Sequence, residues 1–209
     1  MLRKLPIVAV FGQGTPIEPD RAELARGVGA MVARLGAHLL TGGGYGIMEA
    51  VAEGFVSVAD RAGSSIGIVP REPDGPLDQP NHARDGRPYP NDFVEIPIMT
   101  PLRPRERDWR KKPARNHINV FTADAIIALP GHAGTRNELD MTAAYRDGTA
   151  LKPEERGTVL VGPAEEFTPE HLRLFVHAAS VPAAEIHLSR ILRERDFRLH
   201  AEADGERGG

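Results

Sequence analysis

Ala123-Asp124-Ala125-Ile126-Ile127-Ala128-Leu129-Pro130-Gly131-His132-Ala133-Gly134-Thr135-Arg136-Asn137-Glu138-Leu139 is the stretch from which the fold can be read. It begins as an apolar run long enough for a strand buried on both faces. Pro130, Gly131 and Gly134 end that run, and a helical pattern follows in which Leu139, Ala143 and Ala144 are the expected apolar positions. A strand, a glycine loop and a helix start, in that order, build an anion site. Backbone N–H groups of the loop and first turn converge on one spot, and the helix dipole favours negative charge there. Thr135 and Glu138 admit two readings. As Thr-x-x-Glu at a helix start they form a capping box. As part of a ligand loop, Thr135 meets a phosphate oxygen and Glu138, one turn in, acts on whatever the loop holds. The proline and glycines around them favour the second.

Upstream, the same grammar repeats. Pro6 to Phe11 is an apolar run read as a first strand, followed by the glycine loop Gly12-Gln13-Gly14-Thr15. Asp20 is expected to cap a helix carrying Leu24, Val28, Met31, Val32 and Leu35, ended by Gly36. His38 to Thr41 is a second strand. It runs into Gly42-Gly43-Gly44-Tyr45-Gly46-Ile47-Met48, and a helix follows to about Ala62. Ser65 to Val69 is a third strand. Strand and helix alternate, which predicts a parallel sheet with right-handed crossovers. Arg71 to Pro90 has no apolar period and is rich in Pro, Asp, Asn and Gly; it reads as a lid or a mobile insertion. Asp92 to Ile98 resumes strand character, and Arg103 to Arg115 is densely basic before a helix enters the central strand.

Downstream, Thr158 to Val161 reads as a strand, Thr168 as the cap of a helix through Phe175, and Ala183 to Arg195 as a last helix. No repeat or composition break divides the chain. The expectation is a single α/β domain over residues 1–200, with 201–209 a flexible tail.

Composition excludes several classes of function. The 209 residues carry 26 Lys+Arg against 29 Asp+Glu, a net charge of -3, so nothing calls for nucleic acid or a membrane as partner. Cysteine is absent, which removes disulfides, thiolate metal sites and a Cys nucleophile. The first apolar run is too short for a secretory signal, and a cytoplasmic setting is expected. His38, His82 and His117 lack metal-ligand spacing, so no metal and no redox cofactor are expected.

Three glycine loops after three strands should gather at the carboxyl edge of one sheet, where open α/β sheets bind ligands. Gly12-x-Gly14 lacks the third glycine of a dinucleotide fingerprint, and no Gly-Lys-Ser/Thr marks a P-loop. Among the lesser candidates, Asp124 is expected to bond locally, Met48 to pack in the core, and Tyr45 either to pack or to cover a base ring.

Gly42-Gly43-Gly44-Tyr45-Gly46-Ile47-Met48, taken with Pro130-Gly131-His132-Ala133-Gly134-Thr135-Arg136-Asn137-Glu138, resembles the paired motifs of the LOG family, long misnamed lysine decarboxylases. The resemblance spans roughly Pro6 to Val161. It implies a Rossmann-like fold, a central parallel sheet flanked by helices, and a homodimer. It also implies a phosphoribohydrolase: cleavage of the N-glycosidic bond of a nucleoside 5′-monophosphate such as AMP or a cytokinin riboside monophosphate, giving free base and ribose 5-phosphate. On the resemblance, Gly131, His132, Gly134 and Thr135 hold phosphate, with Gly43, Gly44, Gly46 and Asn116 completing the substrate site. Glu138 and Arg115 are then catalytic. Glycosidic cleavage builds oxocarbenium character, which a carboxylate under the ribose stabilises while it orients water; a guanidinium can hold phosphate or sugar.

The chain departs from the family pattern at three places. His132 replaces a glycine, Asn116 a lysine and Lys112 a methionine. The Arg-Asn pair at 115–116 also resembles a related branch that includes molybdenum-cofactor carrier proteins. The alternative is therefore a binding or carrier protein that grips a nucleotide or molybdenum-cofactor ligand without turning it over.

Overall fold

A computed structural model of the chain describes residues 4–72, 76, 79, 81–83, 85–145, 152–195 and 197. Seven strands, β1 (Ile7–Phe11), β2 (His38–Thr41), β3 (Ser65–Pro70), β4 (Ile96–Thr100), β5 (Ala125–Ala128), β6 (Thr158–Val161) and β7 (Val176–Ala178), form one sheet in the order β4-β3-β2-β1-β5-β6-β7. Every pairing is parallel. The helices are α1 (Pro19–Arg34), α2 (Ile47–Val56), α3 (Arg115–Thr122), α4 (Ala133–Tyr145), α5 (Pro169–Leu174) and α6 (Val181–Glu194). This is the single, Rossmann-like α/β domain expected from the sequence.

The apolar run at 125–129 is buried because both faces of its strand are covered. Ala125, Ile127 and Leu129 join the core layer under α1, α2 and α6. Ile126 and Ala128 point the other way, into the layer under α3, α4 and α5. β1 alternates in the same phase, with Val8 and Val10 on the first side and Ala9 and Phe11 on the second. The two strands pair directly, Ala9 opposite Ile126 and Phe11 opposite Ala128. Chain order reverses at this pair, so the loops after β1 and β5 diverge to opposite sides and leave a crevice at the sheet's carboxyl edge.

Several boundaries differ from the sequence reading. α1 starts before Asp20, with Pro19 in the first turn; Asp20 Oδ1 accepts from the Arg21 N–H instead of capping. α2 stops at Val56, well short of Ala62. There the Ser57 hydroxyl donates to the Gly54 carbonyl and Arg61 donates to the carbonyls of Val56 and Val58, satisfying groups a longer helix would have used. β4 begins at Ile96 and not Asp92, because the Asn91 side chain accepts from the Phe93 N–H and turns the chain first. In α4 it is Met141 that enters the core, while Ala144 is exposed. β7 was hidden behind the end of the preceding helix. The expected tail at 201–209 lies outside the described residues, as does part of the Arg71–Pro90 segment.

Candidate active site

The crevice opens into a cleft of about 550 Å³. Phe11 and the Gly12–Thr15 loop after β1 form one wall, with Gly42 and Met48 beside them. His132, Gly134, Thr135 and Glu138 form another. Arg115 and Asn116 at the start of α3 close the floor, and Arg103–Arg105 and residues 81–83 and 89 form the rim.

The capping-box reading of Thr135 does not describe the helix that forms. α4 starts at Ala133, and the Arg136 N–H bonds to the His132 carbonyl, so Thr135 already lies inside the first turn. It is 4 % exposed, and its hydroxyl oxygen has no hydrogen-bond partner among the described residues. Thr135 itself lines the cleft in the first turn of α4, where N-terminal backbone N–H groups make a setting suited to a phosphate oxygen. Gly131 is required by contact: a Cβ there would overlap the Thr135 hydroxyl.

Glu138 stands one turn deeper and is 8 % exposed. Burial pushes its pKa up to about 7, against the opposing pull of the Arg115 guanidinium and a hydrogen bond from the Asn119 side chain. Arg115 is 6 % exposed. Its Nη1 donates to the Ile68 carbonyl at 3.4 Å, and its Nε has no partner among the described residues. The guanidinium lies where a side chain on residue 42 would otherwise be, since a Cβ on Gly42 would overlap Nη1. The second glycine loop therefore makes room for a cation beside Glu138.

The fold brings Glu138, Arg115, Asn116, His132, Gly134 and Thr135 together on one cleft. Gly131 lies directly behind Thr135. Gly43, Gly44 and Gly46 are placed differently. The Gly43 carbonyl accepts from the Asn91 N–H, the Gly44 carbonyl accepts from Asn91 Nδ2, and Gly46 sits under the carbonyls of Gln13 and Thr15. These three glycines shape the loop from behind, and Gly42 is the one that reaches the cleft.

The remaining candidates resolve by their partners. Asp124 Oδ2 accepts from the Ile7 N–H and ties β5 to the start of β1. His117 accepts from the Ala114 N–H at Nδ1 and bonds the Trp109 carbonyl at Nε2, which fixes the turn before α3. Tyr45 packs: its hydroxyl donates to the Pro88 carbonyl, and the Arg87 guanidinium lies 3.5 Å from its ring centre. Met48, expected in the core, lines the cleft instead. Sequence reasoning did not single out Gln13, Asn81, Tyr89 or Asn119. Tyr89 and Asn81 come from the segment lacking any apolar period, where no pattern marks a position as inward-facing. Asn119 had a usable signal, since it follows Arg115 by four residues on a helix.

The SLOG cluster4 family profile matches residues 5–152, which hold all of these cleft residues. The chain belongs to the SLOG cluster4 family. A protein of Archaeoglobus fulgidus with no described function is 29 % identical over 85 % of this chain and 99 % of its own. The cytokinin riboside 5′-monophosphate phosphoribohydrolase of Mycobacterium tuberculosis is 30 % identical over 77 % of this chain and 72 % of its own. The molybdenum cofactor carrier protein of Chlamydomonas reinhardtii superposes with a TM-score of 0.64 at 25 % identity, covering 91 % of this chain and 99 % of the other.

In this SLOG cluster4 protein the buried carboxyl carries a stability signature. The ordinary value for glutamate is 4.5, and the folded value is about 7. Between the two, the folded protein keeps a proton that the unfolded chain has released. The contribution is therefore full below pH 4.5 and is lost as pH rises through 7. At 1.36 kcal/mol per pH unit the loss is roughly 3 kcal/mol. Glu138→Gln removes the ionisation, so the variant should gain on wild type as pH rises. The difference in Tm between variant and wild type should be larger at pH 8 than at pH 4 by on the order of 5–10 °C. A difference independent of pH would show that Glu138 ionises freely.

Proposed function

We propose that the protein hydrolyses the N-glycosidic bond of a nucleoside 5′-monophosphate, consuming one water and releasing free base and ribose 5-phosphate. The observation that carries this reading is Glu138, a buried carboxyl group in α4 that lines the cleft together with the first turn of that helix and the Arg115 side chain. The phosphate binds the first turn of α4 through Gly134 and the Thr135 hydroxyl, backed by Gly131. That anchor sets the ribose over Glu138. As the base departs, positive charge grows on the sugar, and the carboxylate stabilises it and orients the attacking water. Arg115 favours the ionised carboxylate against the larger effect of burial and contacts phosphate or ribose hydroxyls. Asn116 and His132 line the same cleft, and Gly43, Gly44 and Gly46 support the wall that carries Gly42. AMP and cytokinin riboside monophosphates are the first substrates to examine. A homodimer and a cytoplasmic setting belong to the same reading.

The phosphate anchor makes a specific demand. AMP should release adenine, and adenosine, which lacks the phosphate, should be turned over at least about 10²-fold more slowly at equal concentration, because the anchor is what positions the ribose. Chromatographic measurement of adenine checks both. Equal rates for the two would remove the anchor from the account.

A second reading is favoured by the resemblance in shape to the Chlamydomonas carrier over nearly the whole of both chains. The cleft would then grip a phosphorylated ligand without cleaving it. Tight binding of AMP or another phosphorylated ligand with no base release would support that reading.

A further inference from the structure

Phe11 and Tyr89 both line the cleft, but they stand there differently. Phe11 is 2 % exposed and belongs to the core, whereas Tyr89 is only half-buried. Bonds fix Tyr89 from both flanks. Its N–H donates to the Asn81 carbonyl at 2.9 Å, and the Tyr45 hydroxyl donates to the neighbouring Pro88 carbonyl at 2.6 Å. Two residues on, the Asn91 N–H donates to the Gly43 carbonyl at 2.8 Å. Arg87 lies 3.5 Å from the centre of the Tyr45 ring and 3.5 Å from the Glu49 carboxylate of α2. The turn that carries Tyr89 is therefore tied to the second glycine loop and to α2. Gly44 gives its ring room. A Cβ there would stand 2.9 Å from Tyr89 Cε1 and 2.8 Å from Met48 Cε, so the bare glycine lets ring and thioether meet on one wall. Met48 lines the cleft as well.

We propose that Tyr89, with Met48 beside it, is the residue that recognises the base: the flat face of the base lies against the Tyr89 ring. This rests on the reading of the cleft as a nucleoside monophosphate site. Thr135, Arg115 and Glu138 answer the phosphate and the sugar, and none of them offers a surface to an aromatic ring. A tyrosine ring and a polarisable thioether do. Stacking of this kind is tolerant of which base is present, because every base has a π face. The wall therefore selects a ligand that carries a base over a phosphosugar that lacks one. Fixing the turn beforehand also lowers the ordering cost of binding, since the ring is in place before the ligand arrives.

Calorimetry with AMP and with ribose 5-phosphate reads the base contact apart from the rest of the site. It is done on the Glu138→Gln protein, in which AMP should stay intact. AMP should bind at least about 10-fold more tightly than ribose 5-phosphate. Adding Tyr89→Leu, which keeps an apolar side chain but removes the ring, should weaken AMP on the order of 10-fold and leave ribose 5-phosphate unchanged. Tyr89→Phe, which keeps the ring, should bind AMP as the parent does. Equal losses for the two ligands in Tyr89→Leu would mean that the ring only packs the wall, and would overturn the proposal. So would an AMP affinity that Tyr89→Leu leaves in place, or a parent protein that binds AMP no better than ribose 5-phosphate, no measurable binding of either included. Wild-type protein that releases no adenine, with these affinities as expected, would end the hydrolase reading and leave the assignment of Tyr89 standing.

Discussion

Glu138→Gln is expected to lower kcat for a nucleoside 5′-monophosphate by about 10³-fold while leaving ligand affinity nearly unchanged. Glutamine keeps the shape of the side chain and can still bond to Asn119, so the cleft should survive. It cannot carry the negative charge that the sugar requires as the base leaves, and it cannot take a proton from water. The phosphate anchor, Gly134 and Thr135, is untouched and continues to bind. Single-turnover kinetics give the loss in the chemical step, and calorimetry gives the affinity. Weakened binding with a normal chemical step would remove Glu138 from the reaction. The same carboxyl predicts the pH profile of the wild type. Because it ionises at about 7 in the free protein, kcat/KM should rise across neutrality and level off above it.

Gly42→Ala has the second largest expected effect, although residue 42 contributes no functional group. The new methyl would occupy the position of Arg115 Nη1, and the guanidinium would have to leave its place beside Glu138 and the Ile68 carbonyl. Misplacing a positioning group by about 1 Å can cost on the order of 10²-fold in rate, and that loss in kcat/KM is expected here. Arg115→Ala should produce a loss of similar size. The double variant should then be little worse than either single one, because both remove the same interaction. Fully additive losses would mean that Gly42 matters for some reason other than Arg115.

The sequence made the sheet legible because its inner strands β1, β2, β5 and β6 are short, largely buried runs, each closed by glycine or proline. His38–Thr41 and Thr158–Val161 are strands at those same residues. It also placed Thr135 and Glu138 near one another, since strand, loop and helix in that order leave few other arrangements, while Arg115 was joined to them only by the resemblance to the LOG family. What could not be read were long-range partners. Nothing local says that Arg61 will satisfy the last carbonyl of α2, or that Asn91 will delay β4 by bonding back to Gly44. The rear placement of Gly43, Gly44 and Gly46 has the same origin. A run of glycines signals a close approach without saying what approaches, and here it is Arg115, Asn91, Tyr89 and the β1 loop. Thr135 and Glu138 match a capping box in spacing, and only the observed helix start at Ala133 separates the two readings.

The central claim is geometric: a phosphate held at the first turn of α4 delivers a ribose to Glu138. Its most direct test is a crystal structure of the Glu138→Gln protein with intact AMP. The account predicts the phosphate on Gly134 and the Thr135 hydroxyl, with the glycosidic carbon facing residue 138 and Arg115 within reach of the sugar or phosphate. A phosphate bound instead on Arg103 and Arg105 at the rim, with the ribose turned away from residue 138, would contradict it.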